Sequence, residues 1–297
     1  MSESDDLEQR GMTAAGLNRL TVRLSRTLLA EGAVLAFGHD WRSEGVMDAI
    51  CGSAIDSFGT PGTEVEAPLI LNLIPWPDSA RTTEDVLLRL EGILAVEEAG
   101  LPEDVSELGA EVALNPDLHR YLRSRGLSHL RRQLTTRCRA RICIGGREHG
   151  YSGRYPGVFE EALFAVQQDQ PTFVVGLLGG ITERLGRAML RNAPMPPGFG
   201  AAAFSPAEDG APPLADIYDT WRRGTASSEH PEDCRIDPRT AWEFVRGVGA
   251  ERLRHNGLTE AENVRLLETT LMEEAILLIL RGLRRIKETV VRDQPLQ

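Results

Sequence analysis

Two stretches of this sequence share one plan, and the repetition limits the folds open to the chain. Residues 141–163, RICIGGREHGYSGRYPGVFEEAL, run from a short apolar segment through a glycine pair and a polar loop to Pro-Gly and two glutamates. Residues 172–190, TFVVGLLGGITERLGRAML, repeat apolar run, glycines and helical pattern. Successive strand–glycine–helix units predict a parallel sheet covered by helices on both faces. The expected class is therefore α/β, a Rossmann-like doubly wound, mostly parallel sheet with added C-terminal helices.

Upstream segments fit the same scheme. Leu17, Leu20, Leu24 and Leu28 step by three and four residues, which predicts an amphipathic helix ending near Gly32. Ala33–Phe37 reads as a buried strand, a second helix starts at about Glu44, and residues 69–74, LILNLI, form a strand stopped by Pro75-Trp76-Pro77. Residues 78–114 fit either a helix or a helix with a strand. Asn115-Pro116 is an N-cap and first-turn pair, and Gly126-Leu127-Ser128 predicts a restart as a second helix reaching about Cys138. Strands are expected at Arg141–Ile144 and Thr172–Leu177, and helices at Pro156–Gln168 and Gly180–Leu190. The resulting organisation is an α/β core over 1–190, a Pro/Gly-rich loop over 191–213 and a helical extension over 214–297. That extension holds helical patterns at 238–254 and 259–287.

Composition narrows the function. The formal charge is −11, which argues against broad nucleic-acid binding, because neutralising many phosphates needs a basic face. No window approaches 18 uninterrupted apolar residues, and the acidic start MSESDDLEQR is unlike a secretory signal, so a cytoplasmic protein without membrane contact is expected. Cys51, Cys138, Cys143 and Cys234 lack CxxC spacing and read as buried thiols. The six histidines show no i,i+4 pairing with acidic partners, so no metal is expected. Gly150–Arg154 misses the last glycine of G-x-S-x-G, and no G-x-G-x-x-G follows the first strand. Against the acidic background, arginines crowd between Arg120 and Arg154, flanking the glycine junction. Lys287 is the single lysine, so part of that bias can reflect genome composition.

The junction itself suits a phosphorylated, ribose-bearing ligand. Gly145 and Gly146 allow close backbone approach at a strand end, and Pro156-Gly157 opens a helix whose N-terminus favours an anion. Glu160 and Glu161 fall in its first turn, where a carboxylate can bind ribose hydroxyls or stabilise a ribosyl cation; the helix dipole alone also favours acidic residues there. The loop between carries Arg147, His149, Tyr151, Ser152, Arg154 and Tyr155, a mixture suited to phosphate pairing and to base or ribose contacts. Gly38, His39, Asp40 and Arg42 stand at the end of the first strand, and Gly179 and Gly180 at the second unit, where open parallel sheets bind ligands.

The order of arginine-bearing helix, strand, Gly-Gly turn and Gly-x-x-Glu-Glu helix resembles the SLOG superfamily of DNA-processing proteins and cytokinin-activating phosphoribohydrolases. Their PGGxGTxxE signature aligns with Gly145-Gly146, Gly157-Val158 and Glu161 after an insertion of roughly nine residues. LRRQLTTRCRARICIGG is similar to the segment carrying their catalytic arginine, which falls on Arg131, with Arg132 as the neighbouring alternative. GRYPGVFEEAL and VVGLLGGITERL look closer to sensor-type SLOG domains of prokaryotic conflict systems and TRPM channels. That resemblance implies binding of an NAD- or ADP-ribose-type molecule, without a required cofactor, by a homo-oligomer or in concert with an effector protein. The alternative it implies is an N-glycosidase acting on a nucleoside monophosphate or NAD, with Glu161 and Arg131 as catalytic residues. A single-stranded DNA-binding module is a third, disfavoured by charge and by an aromatic content of 5%. Val158 in place of threonine and the long insertion both weigh toward recognition.

Overall fold

The computed structural model describes residues 14–38, 46–58, 68–78, 88, 90–207, 210–222 and 230–293. The first half alternates helix and strand: α1 (Ala14–Ala30), β1 (Leu35–Gly38), α2 (Val46–Phe58), β2 (Ile70–Pro75) and β3 (Leu94–Gly100). A 3-10 helix, Glu103–Leu114, leads into the long α3 (Pro116–Arg137). Then come β4 (Arg141–Ile144), α4 (Gly157–Gln167), β5 (Thr172–Val175) and α5 (Gly180–Arg191). The remaining helices are α6 (Leu214–Trp221), α7 (Pro238–Leu253), α8 (Glu260–Glu268) and α9 (Met272–Asp293). No described helix is long and apolar enough to cross a membrane.

Every strand pairing among the described residues is parallel, as the repeated units predict, in an open, Rossmann-like α/β arrangement. β1, β2 and β3 form one ladder, with Leu35 opposite Ile70 and Ile70 opposite Leu94. β4 and β5 form a second, with Arg141 opposite Thr172. Among the described residues the two ladders are joined by side chains rather than hydrogen bonds. Leu35 of β1 shares an apolar cluster with Ile142 and Ile144 of β4 and with Phe173 and Val175 of β5.

Helices cover both faces. Leu20, Leu24 and Leu28 of α1 and Met47 and Ile50 of α2 enter the same cluster as Ile276 and Ile279 of α9. Each such side chain contributes roughly 1.5–3 kcal/mol on burial. On the other face of the three-stranded sheet, Leu130 and Leu134 of α3 pack with Leu73, Ala99, Ala36 and Leu71. The Cα face of Gly38 is filled by that packing, since a Cβ there would come 2.9 Å from Leu130. Cys143 and Val174 meet α4, α5 and α7 in a second cluster built around Phe159 and Trp242, whose rings stack at 5.6 Å.

Two expectations need correction. α3 does not restart at Gly126 but runs unbroken. The glycine there serves a close approach, with the Trp76 carbonyl oxygen 3.1 Å from where a Cβ would stand. Asn115 does cap the helix, accepting from the N–H groups of Asp117 and Leu118, both at 3.1 Å. The pattern over 259–287 divides into α8 and α9, because Thr269 is extended and its hydroxyl turns to Glu274 and to the Leu271 N–H. In the region left open, 94–100 is a strand and 103–114 a 3-10 helix.

Gly176 and Gly186 receive α8. A Cβ on Gly176 would collide with the Leu267 carbonyl, and one on Gly186 with the Leu267 side chain. Gly52, exposed on α2, has nothing within 4 Å of its Cβ position. Gly176→Ala is expected to destabilise the protein by about 1–3 kcal/mol, as overpacking does. Gly52→Ala should stabilise it by about 0.5–1 kcal/mol. Urea unfolding midpoints of the two variants against the parent check both signs.

Candidate functional site

The Gly145-Gly146 turn has the positive φ values, 59° and 91°, that glycine permits. Its space is taken by protein, however. The Gly145 carbonyl accepts from the Thr182 N–H at 3.0 Å and the Gly146 carbonyl from the Ile181 N–H at 3.2 Å, so the turn caps the start of α5. A Cβ on Gly146 would lie 2.7 Å from Ile181 and 2.8 Å from Val158. Val158 thus packs with apolar neighbours beside the turn. Gly179 and Gly180, both buried with φ near 60°, turn the chain from β5 into α5.

The start of α4 is different. Pro156 is buried and its carbonyl accepts the first helical bond, from the Glu160 N–H at 3.0 Å, yet no side chain caps the helix. The Arg131 guanidinium lies against this end. One of its nitrogens is 3.0 Å from the Cβ position of Gly153, and the other is 3.0 Å from that of Gly157. Both glycines make room for the arginine, which puts a cation beside the positive end of a helix.

That placement is fixed by Glu160, which has 0% exposure. One carboxylate oxygen accepts from Ser128 Oγ at 2.8 Å and from Arg154 Nε at 2.8 Å, and the other from Arg131. Arg154, 2% exposed, continues inward. Its remaining nitrogens reach Asp233 at 2.8 Å and the carbonyls of Glu232 and Arg235 at 2.5 and 3.3 Å. Arg132 completes the chain of charges, donating to Asp233 at 2.5 and 3.0 Å and to Glu232 at 2.6 Å, with its guanidinium 4.1 Å over the Phe164 ring. Burial pushes the Asp233 carboxyl up, but Arg132 and Arg154 outweigh it and hold the group below the usual aspartate range. Burial likewise works against the charge on Arg154, which Glu160 and Asp233 nonetheless hold more firmly protonated than usual.

The sequence-derived candidates therefore separate. Arg131, Arg154, Pro156, Gly157 and Glu160 come together at the start of α4, with Glu160 and Arg154 engaged by protein groups. Glu161 points to Arg141 Nη1, 3.2 Å away, and its side chain is 27% exposed. Gly145, Gly146, Gly179, Gly180 and Gly38 shape turns and packing. Arg147 is exposed and forms no ion pair among the described residues. His39, Asp40 and Arg42 lie outside the described residues.

Beside Arg131 opens a cleft of about 260 Å³ lined by Arg120, Arg123, Tyr151, Ser152, Gly153, Ala202, Ala203 and Leu214. Arg120 and Arg123 share one face of α3 by their three-residue spacing. Burial, together with nearby Tyr155 and Glu160, pushes the Tyr151 hydroxyl up to about 12, so it stays protonated. Sequence reasoning missed Ser128, Asp233 and the Ala202–Ala203 wall. The crowding of arginines between Arg120 and Arg154 and the polar loop carrying Tyr151 and Ser152 were the legible signals for the cleft.

A family model described as SLOG cluster2 matches residues 1–266 of the chain. No curated protein and no solved structure matches it.

Because the Asp233 carboxyl is held low in the folded protein, its contribution is fully present above the ordinary aspartate value of 3.8 and is lost as pH falls through the lower, folded value. Asp233→Asn should therefore lower stability at pH 7, by about 3–5 kcal/mol for a broken buried ion pair. It should also flatten the acid limb of the stability profile. Urea midpoints from pH 7 to pH 2 check this, and an unchanged acid limb would contradict it.

Proposed function

The chain belongs to the SLOG superfamily, and on that premise we propose that it binds a nucleotide-derived ligand of NAD or ADP-ribose type and acts as a sensor. Family membership fits a nucleotide-related ligand-binding or glycosidase-like role. The observation that carries the choice between them is the pairing of both glutamates at the start of α4. A carboxylate that stabilises a ribosyl cation has to face the sugar, whereas Glu160 is enclosed by Ser128, Arg131 and Arg154 and Glu161 is paired with Arg141. Arg131, by contrast, presents a guanidinium against an uncapped helix start, a combination suited to a phosphate.

As a sensor, the protein has to convert occupancy into a change of state, and only a difference in ligand affinity between two states can do that. A homo-oligomer or an effector protein in the cytoplasm is the proposed reader of that change, with no membrane or nucleic acid involved.

Calorimetric titration of the full chain with NAD, ADP-ribose and cyclic ADP-ribose tests the reading. Binding of at least one is expected. Arg131→Lys, which keeps a charge for Glu160 but loses the planar fork over Gly157, should weaken it by about tenfold. Absence of binding by all three would overturn the proposal. Release of free base by the parent, abolished in Glu161→Gln, would replace it with the N-glycosidase.

A further inference from the structure

β3 is the outer strand of its ladder and, at seven residues, the longest of the described strands. Its pairing with β2 fixes which of its main-chain groups are spent. The Ile70 N–H donates to the Ile93 carbonyl at 2.9 Å, and the Cα partners run from Ile70 with Leu94 to Leu73 with Glu97. Hydrogen-bonding groups alternate in direction along a strand, so those of Ile93, Ala95 and Glu97 face β2 and those of Leu94, Val96 and Glu98 face away from it. The Leu94 N–H turns back to the Leu90 carbonyl at 2.9 Å, which leaves its own carbonyl. The N–H and carbonyl groups of Val96 and Glu98 have no partner among the described residues. The outer edge of β5 is closed by comparison, since its Thr172 carbonyl accepts from Asn256 Nδ2 at 2.8 Å. An open edge of this kind is a template for another strand.

We propose that the β3 edge pairs with the β3 edge of a second copy of this chain, antiparallel about a two-fold axis at Val96. Charge selects both the register and the occupant. Glu97 and Glu98 are exposed, and an axis through either would set like charges opposite each other, which destabilises a ladder. With the axis at Val96, each Glu97 lies opposite the partner's Ala95 and each Glu98 opposite the partner's Leu94. The outward groups then match. The Val96 N–H of each copy donates to the Val96 carbonyl of the other, and each Glu98 N–H to the partner's Leu94 carbonyl. Ala95 and Glu97 point to one face of the sheet, where Arg137 of α3 stands with Nη1 2.7 Å from Glu97 Oε2. The Arg137 side chain is 43% exposed, and its fork has donors to spare. The partner's Glu97, opposite Ala95, comes within reach of that guanidinium, so each Arg137 bridges the glutamates of both copies. The contact is isologous, as a two-fold dimer requires. It involves neither Arg131 nor α4, so it goes beyond the ligand reading and holds or fails without it.

Sedimentation equilibrium of the full chain over a concentration series, with hydrogen exchange read at single amides, tests the pairing. A dimer is expected, with the Val96 and Glu98 amides slowed where it is populated and fast again on dilution. Val96→Pro deletes an outward N–H and keeps the bonds to β2, a placement that edge strands tolerate. It should weaken the dimer at least about tenfold. Arg137→Glu should weaken it about fivefold to tenfold, and adding Glu97→Arg, which exchanges the two charges, should restore it. That rescue is a readout a merely misfolded variant would not give, and it carries the test alone if Val96→Pro does not fold. A chain that stays monomeric throughout the series would overturn the proposal. So would a dimer of unchanged affinity in both single variants, because it would use another surface.

Discussion

Glu160 carries a charge at a position with no solvent contact, and such a charge is tolerated only when hydrogen bonds and opposite charges replace the water it has lost. Here the replacement comes from three places in the chain: Ser128 and Arg131 on α3, and Arg154 in the loop before α4. Arg154 in turn needs Asp233, which also pairs with Arg132. One buried carboxylate thereby ties the central helix, the insertion between β4 and α4, and the turn at 231–234 into a single arrangement. The functional consequence is that Arg131 does not wander. It is held across Gly157, and a cation fixed before a ligand arrives loses little conformational freedom on binding.

The glycine pair that first suggests a phosphate cradle plays another part. Its carbonyls cap α5 and its missing side chains admit Val158 and Ile181. Val158 therefore packs against the turn, and the proposed anion position lies one step away, at the uncapped start of α4. The arginines divide in the same way. Arg125, Arg132 and Arg154 are buried in ion pairs. Arg120 and Arg123 line open space, so an acidic chain still presents a local cationic site.

Much of the architecture is legible in the residues. Apolar periodicity and glycine punctuation locate β4, α4, β5 and α5 to within a few residues, and Asn115-Pro116 marks the start of α3. Three features escape such reading because their causes are tertiary. Gly126 lies inside a helix to admit the Trp76 backbone, β3 is an edge strand whose Glu97 and Glu98 are both exposed, and α8 ends where Thr269 turns to Glu274. The candidate site was legible in its residue types and less so in their partners. Arg131 and the glutamates are visible as residue types in a pattern, whereas Asp233 reaches Arg132 across about a hundred residues, a pairing that only the fold creates.

The proposed anion position of this protein is the Arg131 end of α4 and not the Gly145-Gly146 turn. A crystal structure of the full chain soaked with ADP-ribose tests it most directly. A phosphate is expected on Arg131 above Gly157, with Glu160 still enclosed by its three partners. A phosphate seated on the Gly145-Gly146 turn, with Val158 and Ile181 displaced, would contradict it.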